Sequence, residues 1–174
     1  MWVLCLSFSV AVLDQLTKYL VARHFLPGES VPLVPGFLNL TYVRNTGAAW
    51  GLFGGLNGWL AVLSIAMLVM IVTLRHAIIR DVFIQRTALG LMIGGIVGNL
   101  LDRVRLLHVI DFIHVHWGPH DFPSFNVADS AICVGVGLYI LSSIRRPDNP
   151  PGPHAPDAVS SRDNPAAGQP AREP

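Results

Sequence analysis

From Leu52 to Leu74 the chain runs without a single charged side chain. About 20 consecutive apolar residues suffice for a helix to cross the hydrocarbon of a bilayer, so this run reads as a transmembrane helix. Only 13% of all residues are charged, against about 25% in soluble domains, and the surplus apolar surface has to face lipid. Trp2 to Val21, Thr87 to Leu101 and Asn126 to Ile144 supply three further spans. The expected fold is an all-α membrane protein with a small β element.

The spans are not uniformly apolar. Asp14, Gln15, Thr17 and Lys18 interrupt the first, and Asp14 and Lys18 stand at i and i+4, on one helix face. Two readings stay open for this pair: a structural ion pair near the membrane surface with Lys18 snorkelling to water, or a role facing substrate. In the third span Gly90, Gly94 and Gly98 form a stripe at spacing four that admits a close helix neighbour, and one more turn reaches Asp102. Asn99, Asp102 and Arg103 gather an amide, a carboxylate and a guanidinium at that helix end, either as a structural clasp or as part of a site.

Between the spans the pattern changes. Pro27-Gly28 ends the first helix, and residues 31–53 read as turns and short strands, with Leu38, Leu40 and Tyr42 alternating against Asn39 and Thr41. Within them Arg44-Asn45-Thr46-Gly47-Ala48-Ala49 joins hydrogen-bonding groups to small residues that a ligand backbone can approach closely. Residues 108–125 leave the bilayer again, with Trp117-Gly118-Pro119 and Phe122-Pro123 as turns bearing interfacial aromatics. Asn126 is a natural N-cap for the fourth span and puts Asp129 in its first turn, where the helix dipole favours a carboxylate.

Arg75, His76, Arg80 and Arg86 after the second span, and Arg145 and Arg146 after the fourth, are the side expected in the cytoplasm. Both termini then lie inside, and the two broken segments share the outer face. Residues 1–146 form the expected membrane domain. Residues 147–174, rich in Pro, Ala, Asp and Ser, form an expected disordered cytoplasmic tail. The first residues lack a positively charged leader and a small-residue cleavage site, so the first span is expected to be retained. Cys5 and Cys133 lie in apolar runs without a second ligand cluster and read as inert core thiols, and Leu4 before Cys5 argues against lipid attachment there.

Each ionisable group near hydrocarbon costs roughly 2.5–3.5 kcal/mol, so Asp102, Asp111 and Asp129 need a partner, a wet cavity or a chemical task. Two carboxylates close together share a proton, which makes one a base for water and the other an acid for a carbonyl oxygen or leaving amine. The residues alone do not choose the pair among the three. Metal binding is the rival chemistry, since His114 and His116 fall on one side of an extended strand near His108, His120 and Asp121. A proton relay or transporter is a third class. No basic stripe interleaved with aromatics points to nucleic acid.

Five blocks carry a family resemblance: Asp14-Gln15-x-Thr17-Lys18, Arg44 to Ala49, Gly94-Gly95-x-x-Gly98-Asn99-x-x-Asp102-Arg103, Val109-Ile110-Asp111-Phe112, and Phe125-Asn126-x-Ala128-Asp129-Ser130. In this order and spacing the chain resembles the lipoprotein signal peptidases, the signal peptidase II family, over about residues 8–145. Ile110 stands where a second valine is usual. The resemblance implies an intramembrane aspartic endopeptidase of the bacterial inner membrane that removes signal peptides from diacylglyceryl-modified prolipoproteins, cutting before the lipidated cysteine. It makes Asp111 and Asp129 the catalytic pair. Asp14, Lys18, Asn45, Asn99, Asp102, Arg103 and Asn126 become site-supporting or substrate-binding residues. It also implies a β-rich extracytoplasmic cradle between helices 1 and 2, an active site near the outer face, a monomer, and neither metal nor cofactor.

Overall fold

The computed structural model describes residues 1–47, 54–78 and 83–144. Ala48, Ala49, and the expected tail at 147–174 lie outside the described residues. In chain order the elements are α1 (Trp2–His24), β1 (Ser30–Val34), β2 (Leu38–Asn45), α2 (Asn57–Ile78), α3 (Phe83–Leu106), β3 (Val109–Trp117), β4 (His120–Asp121) and α4 (Val127–Ile144).

All four helices are long and apolar enough to span a bilayer. α3 is the central one, in contact with α1, α2 and α4. The glycine stripe explains how. A Cβ on Gly90 would meet Leu6, one on Gly94 the Ser7 carbonyl and Val10, and one on Gly98 the Asp14 carboxylate, so α1 lies directly along the stripe. Gly95, a quarter turn away, does the same for α4, where its missing Cβ leaves room for the Ala128 carbonyl and Ile132. Large apolar side chains such as Leu4, Phe8, Trp59, Leu63 and Ile140 point outward, as lipid-facing helices require.

α3 extends beyond the expected Thr87–Leu101 at both ends, so Asp102 and Arg103 lie within the helix rather than past it. Leu107, at φ 63°, takes the left-handed conformation that ends the helix and turns the chain into β3.

The four strands form one antiparallel sheet in the order β1-β2-β3-β4. The expectation of a cradle between helices 1 and 2 needs correction: β1 and β2 come from that connection, but β3 and β4 come from between α3 and α4. The extended strand expected at His114 and His116 is the second half of β3, whose first four residues, Val109, Ile110, Asp111 and Phe112, are all buried, so burial does not alternate there. The alternation expected for β2 also fails, since Thr41 and Tyr42 are both buried. A register shift between Leu40 and Val43 is the cause. After it, Val43 pairs with Asp111 and Asn45 with Val109, so Asn45 and Asp111 become diagonal neighbours on one face. Ile110 and Phe112 point the other way, into a core with Val21 and Tyr42 that fixes the sheet against α1.

Candidate active site

β3 carries Asp111 and the first turn of α4 carries Asp129, and both line one cleft of about 430 Å³ with Asn45, Asn99 and Arg103. Phe122, Pro123, Phe125, Val109 and Ile132 make its walls largely apolar. The segment read as interfacial aromatics therefore also borders the cleft.

Amides hold each carboxylate. Asn126 Nδ2 donates to Asp111 Oδ1 at 2.7 Å, and Asn45 Nδ2 donates to Asp111 Oδ2 at 2.9 Å. Asn99 Nδ2 donates to Asp129 Oδ1 at 2.7 Å, and the Asn126 backbone N–H donates to Asp129 Oδ2 at 3.2 Å. Asn126 is the expected N-cap: its Oδ1 accepts the Asp129 N–H at 2.9 Å. One residue thus contacts both acids while starting the helix that carries one of them.

Asp111 is 2% exposed. Burial pushes its carboxyl up to about 7, and the negative charge of Asp129 adds to the rise. The amides of Asn45 and Asn126 and the charge of Lys18 pull in the opposite direction without cancelling it. Asp111 therefore keeps a proton available near neutral pH, outside the spanning helices and beside a second carboxyl.

Behind the cleft lies a fully enclosed ionic layer. Lys18 Nζ sits 2.8 Å from Asp14 Oδ2 and 2.9 Å from Asp102 Oδ2, and donates to Asn99 Oδ1 at 2.8 Å. Asp14 is 0%, Lys18 1% and Asp102 2% exposed. The reading of Lys18 as snorkelling to water is overturned: its ammonium is spent on three protein acceptors. The clasp expected among Asn99, Asp102 and Arg103 is also corrected, because Asp102 pairs with Lys18 of α1 and not with Arg103 of its own helix. Helix spacing shows which residues share a face, but not that a partner helix brings a nearer cation. Arg103 instead reaches forward, with Nη2 3.4 Å from the Gly47 carbonyl oxygen and Nη1 3.4 Å from that of Asn99.

Gln15 was not among the expected site residues. Its Nε2 donates to Asp102 Oδ1 at 2.9 Å and to the Gly98 carbonyl at 3.1 Å. Its placement beside Asp14 in an apolar span was the available signal. Both cysteines are exposed rather than in the core, and Cys133 lines the cleft. His114 Nε2 lies 2.7 Å from Asp121 Oδ1, and no group of three or more His, Cys, Asp or Glu among the described residues is arranged to hold a metal ion.

A family model described as signal peptidase (SPase) II matches residues 6–145, which include every residue of the cleft and of the ionic layer behind it. The chain belongs to the signal peptidase II family. A lipoprotein signal peptidase of Geobacter metallireducens is 46% identical over 138 residues, covering 77% of this chain and 85% of that relative. One from Syntrophotalea carbinolica is 43% identical over 145 residues, covering 82% and 90%. A solved bacterial membrane enzyme, determined by the in meso method, superposes with a TM-score of 0.77 at 33% identity, over 88% of this chain and 93% of its own. Signal peptidase II activity, aspartic-type hydrolysis of lipoprotein signal peptides, comes with this membership, and the four apolar helices make the chain a multi-pass bacterial membrane protein.

Proposed function

We propose that Asp111 and Asp129 are the catalytic dyad of this signal peptidase II. The observation that carries the reading is Asn126, which bonds the Asp111 side chain through Nδ2 and Asp129 through its backbone N–H and Oδ1, at the edge of a cleft with apolar walls. Asp111, holding a proton near neutral pH, acts as the acid, and Asp129 acts as the base.

Water attacks the scissile carbonyl carbon as Asp129 takes its proton and Asp111 gives its own to the carbonyl oxygen. The tetrahedral diol then collapses: the C–N bond breaks, the leaving nitrogen receives the proton held by Asp129, and a diol hydroxyl returns a proton to Asp111. Both carboxyls end as they began, with no covalent intermediate. Asn45, Asn99 and Asn126 hold the acids in place. Arg103 faces the cleft with only long contacts to backbone carbonyls and an Nε without a hydrogen-bond partner among the described residues, which suits it to a substrate carbonyl.

The substrate is a prolipoprotein whose cysteine carries diacylglycerol, cut just before that cysteine. The lipid anchors the peptide at the membrane surface, and a cleft at the helix ends beside the sheet meets it at that depth. Arginine placement supports cytoplasmic termini and a site near the outer face. The working unit is a monomeric membrane domain of residues 1–146, with 147–174 as a separate tail.

The test is cleavage of a diacylglyceryl-modified prolipoprotein by purified Asp111→Asn and Asp129→Asn variants. Each is expected to fold and to give no product, because an amide cannot cycle a proton. Turnover near normal by either variant refutes the dyad.

A further inference from the structure

Lys18 has three N–H donors, and Asp14, Asp102 and Asn99 take all three. None is left for substrate, yet the consequences of these bonds reach both catalytic acids. Asp14 Oδ1 accepts the backbone N–H of Ala128 at 2.9 Å, and Ala128 is the residue immediately ahead of Asp129. Asp102 Oδ2 accepts the backbone N–H of Ile110 at 3.3 Å, and Ile110 is the residue immediately ahead of Asp111. Each buried aspartate therefore grips the chain one residue before a dyad member, one on α4 and the other on β3. Lys18 joins the two grips. Through its third bond it also orients the Asn99 amide, because an Oδ1 turned to the ammonium leaves Nδ2 facing Asp129.

We propose that Lys18 is a positioning residue that sets the spacing between the two catalytic carboxylates by clamping Asp14 to Asp102. The proposal rests on Asp111 and Asp129 being the dyad. That reading is tested by substituting those two residues, whereas the clamp is tested with both intact, so the two can fail separately.

Removing Lys18 alone leaves two buried carboxylates without their cation and threatens folding. The informative variant is the charge-free Asp14→Asn/Lys18→Met/Asp102→Asn, in which each asparagine retains an oxygen for its backbone N–H while the clamp is gone. Full-length protein is purified in detergent. Thermal unfolding, kcat and KM on the lipid-modified prolipoprotein, and the pH profile of kcat are measured. The charged groups facing the dyad are Lys18 and Asp14 from α1 and Asp102 and Arg103 from α3. Their net change moves both limbs of the bell in the same direction. The width of the bell instead reads the coupling between the two acids, which weakens as they separate.

The expected result is a folded variant with unchanged KM, a kcat lower by about 100-fold, as a misplacement near 1 Å gives, and a narrower bell. A folded variant with normal kcat and bell width overturns the proposal, as does a loss confined to KM with the width unchanged. Should the triple variant not fold, Asp102→Asn retains the Lys18–Asp14 pair and is expected to narrow the bell to a smaller degree. Unchanged kcat and width in Asp102→Asn overturn the proposal equally.

Discussion

Asn126 and Asp129 cap each other. Asn126 Oδ1 accepts the Asp129 N–H at 2.9 Å, and Asp129 Oδ2 accepts the Asn126 N–H at 3.2 Å, the reciprocal arrangement of a capping box. A proposed catalytic side chain is thereby also part of the start of α4, and the same asparagine reaches across to Asp111.

The two duties of Asn126 can be separated. Asn126→Ser retains a capping oxygen but loses the amide that bonds Asp111, so thermal stability should stay near normal while cleavage falls about 10- to 100-fold through misplacement of the acid. Asn126→Ala loses the cap as well, at about 1 kcal/mol, and should melt lower. Parallel melting curves and initial rates on one substrate check both; a serine variant of normal activity would remove Asn126 from the dyad's support.

The rate should respond to pH through Asp111. With its carboxyl at about 7, the protonated acid is lost above neutrality and kcat should fall on the alkaline side. The Asn45 amide lowers this value, so Asn45→Ala should move the alkaline limb to higher pH while reducing the maximal rate. A limb that stays in place in the variant would mean that another group controls it.

Stability should respond in the same direction. Asp111 stands at about 7 in the folded protein against its ordinary 3.8, so between those values the folded state binds more protons than the unfolded one. Stability from this group is present in acid and lost as pH rises through about 7, an effect of roughly 4 kcal/mol at full extent. Asp111→Asn should remove that dependence and gain on the wild type as pH rises. Melting temperatures of both proteins across pH 4–8 give the difference curve, and parallel curves would contradict the burial account.

Helix packing offers a sharp contrast between two glycines. A Cβ on Gly95 would overlap the Ala128 carbonyl and crowd Ile132, whereas one on Gly137 has nothing within 4 Å. Gly95→Ala should therefore separate α3 from α4 next to Asp129, with a lower melting temperature and a large loss of cleavage. Gly137→Ala should match the wild type in both measurements.

Four spans, the glycine stripe and the N-cap at Asn126 were legible because they are local. Hydropathy over about 20 residues, spacing along one helix and a polar residue before an apolar run need no knowledge of the rest of the chain. The five ordered blocks likewise carried the family resemblance by themselves. What tertiary structure alone decided are pairings between distant segments. Hydropathy could not show that β3 completes a sheet begun before α2, because it is read along one segment and carries nothing about which distant strand pairs with it. Spacing put Asp102 beside Asn99 and Arg103, but packing of α1 on α3 brought it Lys18, 84 positions earlier in the chain. The sequence by itself determined that buried carboxylates must be answered by partners. Which partners answer them depends on how the helices come together, since an ion pair in a dry interior is governed by distances of a few Å that no spacing along the chain contains.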